Sequence, residues 1–152
     1  MSVYHEAQGS PILKGVIVVL FGILLYVLYE PYQVREQEEA YKHESRARML
    51  NIRQGQLLHI GAFGRYASSL DSLVAFLHTR PDSVIAAAFQ PLTTSAFVPE
   101  SLLHTPKTWR PYSLVSVDTT VIKKYLVDDP DGYGAIGSLT DDQRVNKASW
   151  EQ

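Results

Sequence analysis

The sequence has no cysteine among its 152 residues. This absence excludes a disulfide framework, a thiolate nucleophile and a cysteine-based zinc site, and the redox compartment cannot be read from the composition. The length allows one core of ordinary size, and any segment placed in a membrane makes that core smaller.

An excess of positive charge is also missing. The 14 Lys and Arg residues are outnumbered by 16 Asp and Glu residues, which gives a formal net charge of −2. Proteins that hold nucleic acid through its phosphates carry clustered basic residues. No basic face is visible in the sequence, so we expect no nucleic-acid partner.

Motifs for catalysis are absent as well. The five histidines are scattered without HxH, HExxH or i,i+4 spacing, and we interpret His59 and His78 as helix-face residues. There is no GxSxG or SxxK motif, and "GYGAIG" (132–137) lacks the Lys-Ser/Thr of a phosphate loop. We therefore expect no enzyme, and a membrane-tethered hydrolase is the least favoured alternative.

A long apolar run is present near the N-terminus. The stretch "GVIVVLFGILLYVLY" (15–29) contains no charged or amide side chain. Extended to residues 12–32, a helix rises about 31 Å, which matches a bilayer core of about 30 Å. The pattern predicts a short N-terminal segment, 1–11, and a transmembrane helix over 12–32; a cleaved signal and a buried core helix are weaker alternatives.

Small and aromatic residues occupy distinct places in this span. Gly15 and Gly22 lie a heptad apart on one helix face, where they allow close packing against neighbouring membrane helices. Tyr26, Tyr29 and Tyr32 follow at one-turn spacing, as in an aromatic belt at a membrane interface. Basic residues follow the span in a mixture with acids, so charge alone leaves the topology open.

Residues 33–63 have the pattern of a stalk helix. Its first half carries opposite charges at i,i+4, Glu38 with Lys42 and Glu44 with Arg48, which predicts a solvated surface. From Ala47 onward apolar residues recur and indicate a face to bury. They are Leu50, Leu57, Leu58 and 60–63.

The remainder, 64–152, is predicted to form a small α+β domain with an acidic C-terminal tail. Ser68 is the expected cap of a second helix, with Asp71 at capping-box spacing and a stripe of Leu70, Leu73, Val74 and Leu77. Residues 81–111 are expected to be loop-rich, with one short strand. Alternation in 112–118 and 121–127 predicts two or three antiparallel strands.

These features together resemble the type IV pilin and type II secretion pseudopilin superfamily. The resemblance rests on the apolar helix that continues into an amphipathic one, on "RQGQLLHIGAFGRYASSLDSLVAFL" (53–77), and on the small sheet. "KGVIVVL" (14–20) is similar to a prepilin processing site. The chain departs from the family at Leu20, where a glutamate normally stands, and at Val16, where phenylalanine is usual.

The resemblance implies a fold, a location and partners. The fold is α+β, a transmembrane helix continuing into a long stalk helix packed on a small antiparallel sheet. The expected role is a non-catalytic structural subunit of a bacterial envelope assembly, in the inner membrane, with the N-terminus cytoplasmic and the domain periplasmic. Partners would be other copies or other subunits of an envelope complex. A monomeric single-span accessory module is the alternative.

The segment "DDPDGYGAIGS" (128–138) leaves two interpretations open. "DPDG" (129–132) has the residue preferences of a type I turn between two strands, while the positions required of an EF-hand loop are not met. The tail is also similar to the calcium loop of major pseudopilins. Ca²⁺ is therefore a candidate ligand, and no other cofactor is expected. Its expected ligands are Asp129, Asp131, Asp141 and Asp142, provided that the tail folds back onto the turn.

Overall fold

A computed structural model describes residues 10–93, 96–118 and 121–151, with the side chains of residues 30 and 31 excepted. Its helices are α1 (Pro11–Phe63), α2 (Leu70–His78) and α3 (Asp82–Ala88), and its strands are β1 (Ser113–Val117), β2 (Lys124–Asp128) and β3 (Ala135–Gly137). Two short 3₁₀ turns cover Pro99–Leu102 and Asp142–Arg144. The predicted α+β class, a long N-terminal helix with a small antiparallel sheet, is confirmed.

The chain divides into two compact units, residues 1–39 and 40–152. In the described part, the first unit consists mainly of the N-terminal portion of α1, which begins with proline at a position where no amide hydrogen is needed. Its apolar side chains are exposed, and its most apolar stretch has a mean hydropathy of 2.5. By length and composition, α1 is therefore able to cross a membrane.

The second unit contains the rest of α1 together with all other elements. Its core joins one face of α1 and the stripe of α2 to the inner face of the sheet. Fully or nearly fully buried members include Met49, Ile52, Leu73, Leu77, Leu102, Tyr125, Val127 and Ile136. Residues 40–63 of α1 are thus part of this compact unit.

The prediction of a solvated first half for the stalk helix is wrong at two residues. Glu44 and Arg48 form the expected pair, 3.1 Å apart, but their side chains are only 8% and 13% exposed. Conversely, Leu57 and Phe63 were assigned to the buried face and are 39% and 60% exposed. The buried face of α1 is partly polar, because the loops packed on it need hydrogen-bond partners.

Side-chain amides on α1 meet that need directly. Asn51 bonds to both the N–H and the C=O of Gln90, each at 2.9 Å. Gln56 pairs in the same way with Ala67, at 2.8 Å from the amide nitrogen and 3.2 Å from the carbonyl oxygen. Each pair replaces the partners that a strand or helix would provide for buried backbone groups.

Helix α2 follows its prediction closely, with one correction. Leu70, Leu73, Val74 and Leu77 are all buried. The cap is Ser69 rather than Ser68, and its hydroxyl accepts from the Ser72 amide. Because the cap lies one residue later, the expected capping box with Asp71 is not formed.

The apolar island "VIAAAF" (84–89) lies in the segment expected to be loop-rich with one short strand, and the structure has a helix there instead. Helix α3 covers most of it, beginning after Pro81 with an acidic residue, Asp82, in its first turn. Three consecutive alanines favour a helix, since alanine has the highest helix propensity. The segment is too short for periodicity to distinguish a helix from a strand.

The sheet is antiparallel throughout, in the order β1-β2-β3. In the register, Val115 lies opposite Leu126 and Val127 lies opposite Ile136. Along the outer side of β3, the Gly137 amide donates to the Lys147 carbonyl at 3.0 Å. The tail therefore folds back against β3 instead of extending into solvent.

Candidate functional site

The N-terminal part of α1 carries the residues expected to act in a membrane. A Cβ atom built on Gly15 or Gly22 would meet nothing within 4 Å, so neither glycine is required by packing inside this chain. Tyr26, Tyr29 and Tyr32 are 70%, 62% and 67% exposed. The Tyr29 hydroxyl accepts a hydrogen bond from Gln33 at 2.7 Å.

The acidic segment after β2 forms the turn that the sequence predicts. The Gly132 amide donates to the Asp129 carbonyl at 3.0 Å, and the Asp129 amide donates to the Gly134 carbonyl at 3.1 Å. Gly132 has φ +82°, a conformation that glycine adopts at little cost. The turn joins β2 to β3.

Asp129 points from this turn into the core. Its side chain is nearly buried, with 3% exposure, and accepts hydrogen bonds from the Ser45 hydroxyl and from the Asp131 amide. Tyr112 is also bonded to the Ser45 hydroxyl, at 2.8 Å. Since Ser45 donates to the carboxylate, Tyr112 donates to Ser45, and the three residues form a buried chain of hydrogen bonds.

Asp131 is held by the loop before β1. Its carboxylate accepts from the Thr108 hydroxyl at 2.5 Å and from the Thr108 amide at 3.3 Å. Partial burial on its own raises the pKa of this carboxyl, but the hydrogen bonds from Thr108 and Thr105 outweigh it and hold the pKa below its usual value. The ionised form is therefore the one that ties the turn to this loop.

The second acidic pair does not join the first. Asp141 caps the 3₁₀ turn that follows it, accepting from the Gln143 amide at 2.9 Å. Asp142 forms an ion pair with Lys124 of β2. Within the described residues, no group of three or more His, Asp or Glu side chains is placed to hold a metal ion.

The buried chain of Ser45, Tyr112 and Asp129 unites a hydroxyl, a phenol and a carboxylate. Burial, above all, raises the pKa of Tyr112, so the phenol stays protonated and acts as a donor. Ser45 is fully buried and no imidazole is bonded to it in the described structure. The position of Ser45 is therefore suited to holding the turn against α1 and not to attacking a substrate.

Sequence reasoning missed this chain of hydrogen bonds. Ser45 lies four residues before Met49 and seven before Ile52, which are both buried. That spacing places it on the same helix face, and a serine on an apolar face is a signal for a buried hydrogen bond.

Three of the described histidines have structural neighbours, whereas His43 lies exposed on α1. His59 bonds to the Arg65 carbonyl at 2.8 Å and packs against two phenylalanine rings, and His78 lies 2.8 Å from Glu100. His104 stacks on Trp109. His5 lies outside the described residues.

Surface grooves of about 300, 380 and 370 Å³ lie between the elements of the second unit. The first borders the start of β1, with Asp71, His104 and Tyr112 in its lining. The second lies beside α3 and is lined mainly by apolar residues. Ser68 and Ser69 also line the first groove, where the Ser69 hydroxyl accepts from the Ser72 amide and the His104 ring stacks on Trp109.

Comparisons with protein-family models, with curated proteins and with solved structures find no match to this chain.

Proposed function

We propose that this protein is a membrane-anchored structural subunit of a bacterial envelope assembly, pilin-like in architecture and without catalytic activity. The observation that carries the proposal is the exposure of every apolar side chain from Ile12 to Tyr29 in the first unit. Soluble proteins rarely expose a continuous apolar surface of this extent, and a bilayer covers it without further protein.

The anchor is proposed to lie in the inner membrane, with the N-terminus cytoplasmic and the folded unit periplasmic. Gly15 and Gly22 support contacts with other membrane helices, since neither packs against another part of the described chain. The expected partners are further copies of this chain or other subunits of an envelope complex. The hydrogen bonds of the buried polar residues, which go to loops of the same chain, are consistent with a scaffold.

Membrane extraction tests the anchor. The full chain is expected to stay with membranes after alkaline carbonate treatment, whereas the double variant Leu20→Arg, Leu24→Arg should be released. Each arginine at a helix centre costs about 2.5–3.5 kcal/mol of insertion free energy. The matched control, Leu20→Ile with Leu24→Ile, should remain in the membrane. Release of the unmodified chain would contradict anchoring.

Orientation and processing need separate measurements. An alkaline phosphatase fused after residue 152 is expected to be active, because this enzyme folds only outside the cytoplasm. The intact mass of the native protein distinguishes two kinds of subunit. Loss of residues 1–15 with a methylated Val16 indicates a processed pilin, and an intact Met1 indicates a fixed subunit.

A second candidate is a monomeric accessory module of a larger envelope complex. Leu20 favours it, because filament-forming relatives in the resembled family carry an acid at that position for subunit register. A detergent-solubilised chain that runs as a monomer and copurifies with other polypeptides would support this module over a self-assembling subunit.

A further inference from the structure

The two outer edges of the sheet differ in how they are covered. The edge of β3 is paired with the tail, through Gly137 with Lys147 at 3.0 Å and Ser149 with Ala135 at 2.8 Å. The edge of β1 is covered only before the strand begins, where the Tyr112 amide donates to the Leu103 carbonyl at 3.3 Å. Among the residues that the structure describes, no backbone group pairs with the outer side of β1 beyond Tyr112.

The direction of the Tyr112 bond identifies the open groups. In an antiparallel sheet the N–H and C=O of successive residues point alternately to the two sides of the strand. Because Tyr112 points away from β2, the same is true of Leu114 and Ser116, while Ser113, Val115 and Val117 bond to β2. The open edge therefore presents two amides and two carbonyls.

This edge lacks the usual protection against pairing. Natural edge strands carry charged residues, proline or a bulge that keeps other strands away. The sequence of β1, "SLVSV", contains no charge and no proline, and its register with β2 runs without a bulge. Val115, at the centre, is 46% exposed.

We propose that β1 pairs antiparallel with β1 of a second copy of this chain, about a twofold axis at Val115. Leu114 of each copy then lies opposite Ser116 of the other, and both residues point their backbone groups across the interface. Two such pairs make four hydrogen bonds and satisfy the outward amides and carbonyls of Leu114 and Ser116. The two sheets become one sheet of six strands.

The same count of unpaired backbone groups disfavours the register shifted toward the N-terminus. A shift of two residues toward the N-terminus places Ser116 opposite Tyr112, whose amide is already bonded to Leu103. Leu114 and Ser116 lie at equal distances from Val115 along the strand, so the outward edge of β1 is complementary to itself in the central register. A second copy is thus the occupant that the edge fits.

The pairing through β1 names a partner for the proposed subunit, and its strength rests on the proposed membrane anchor. Pairing of five-residue edges buries little surface, so we expect the contact to be weak between free molecules. Anchoring in one bilayer raises the effective concentration of the two edges, which favours the pair without any further contact.

Disulfide cross-linking of the full chain in membranes tests the axis, since a chain without cysteine gives each variant a single thiol. At Val115 the two copies form a non-hydrogen-bonded pair with Cα atoms about 4.5 Å apart, within the disulfide range of about 4.4–6.8 Å. Val115→Cys is expected to give a covalent dimer on mild oxidation with copper phenanthroline, several times more than Val84→Cys. Val84 on α3 is a matched control with 39% exposure.

The register is tested by two further variants. Ser113→Cys alone should cross-link poorly, because its own copies lie four residues apart along the strands, about 13 Å. Mixed with Val117→Cys it should form a heterodimer, since these positions are opposite each other. Equal cross-linking of Ser113→Cys and Val115→Cys would contradict the proposed axis.

Ser116→Pro removes an amide at the open edge without removing a bond to β2. Combined with Val115→Cys, it is expected to abolish cross-linking while the melting temperature changes little. If this variant fails to fold, Val115→Lys provides the same information, because it places two like charges at the axis on an exposed side chain. In membranes, the mixed cross-linking of Ser113→Cys with Val117→Cys should then fall to the level of Val84→Cys.

The outcomes separate this inference from the proposed function. Cross-linking of Val115→Cys no stronger than that of Val84→Cys in membrane-bound protein overturns the β1 pairing and leaves the anchor intact. Cross-linking of protein that carbonate releases from membranes overturns the anchor and leaves the pairing. A covalent product with a different polypeptide alone overturns the choice of a second copy.

Discussion

The carboxylate of Asp129 accepts a hydrogen bond from the hydroxyl of Ser45, although 84 residues separate them in the chain. This bond, with the Arg46 side chain donating to the Tyr133 carbonyl at 3.2 Å, fastens the β2-β3 turn to α1. The acids of the turn are therefore used to hold the fold together.

Ser45→Ala is expected to destabilise the protein by about 1–3 kcal/mol, because it removes a hydrogen-bond donor from the buried carboxylate of Asp129. Chemical denaturation of the full chain in detergent, followed by circular dichroism, measures this change. The matched control is Ser113→Ala on the exposed start of β1, where a change within about 0.5 kcal/mol is expected. Equal effects of the two substitutions would contradict the role of Ser45.

Gln56→Ala is expected to cost about 2 kcal/mol or more, since it leaves both backbone groups of buried Ala67 without a partner. Gln54 is a same-residue control on the same helix, and its side chain has no hydrogen bond within the described structure. Thermal melts of the two variants compare them directly. A Gln54→Ala variant as unstable as Gln56→Ala would argue against the amide pairing.

Gly137→Ala should be among the most damaging single substitutions, at about 2–5 kcal/mol. A Cβ atom there would lie 2.2 Å from the Tyr125 carbonyl oxygen, and the residue has φ +93°. Gly61→Ala is the control: its Cβ meets nothing within 4 Å in α1, so a gain of about 0.5–1 kcal/mol is expected. Retained stability in Gly137→Ala would refute the close approach.

Asp131 predicts a pH dependence with a definite sign. Hydrogen bonds from Thr108 and Thr105, against the effect of partial burial, lower its pKa below the ordinary 3.8. A group whose folded pKa is depressed contributes stability above its unfolded pKa and loses it as pH falls through the folded pKa. The difference in stability between the wild type and Asp131→Asn should therefore be largest near neutral pH. It should disappear as the pH falls below 3.8. Melting curves from pH 7 to pH 2 measure it, and a difference independent of pH would contradict this assignment.

Calcium is expected to leave the melting temperature unchanged between EDTA and a millimolar addition. A ligand that binds only the folded state raises stability in proportion to the logarithm of its concentration over its Kd. The four candidate carboxylates already accept hydrogen bonds or pair with Lys124, and they lie in two separate places in the fold. A reproducible rise with calcium, absent in Asp129→Asn, would support a cation site at the turn.

The sequence predicts well those parts of the fold in which apolar residues recur with a regular period. The stripe of α2 and the alternation around Tyr125 and Val127 depend only on apolar spacing, which is local information. Ser45 was missed because its partners, the side chains of Tyr112 and Asp129, lie far along the chain. Asn51 and Gln56 were missed because their partners are backbone groups of loops, whose positions apolar spacing does not indicate. Helix α3 was missed since seven residues, three of them alanine, carry too short a period to identify.

The tail that returns to β3 has a consequence for stoichiometry. A sheet with one open edge can join only one other sheet, so the association through β1 ends at two molecules. If residues 147–149 were displaced, the sheet would have an unpaired edge on both sides. Strand pairing could then continue from molecule to molecule. The last residues of the chain thus decide between a closed pair and an open-ended polymer.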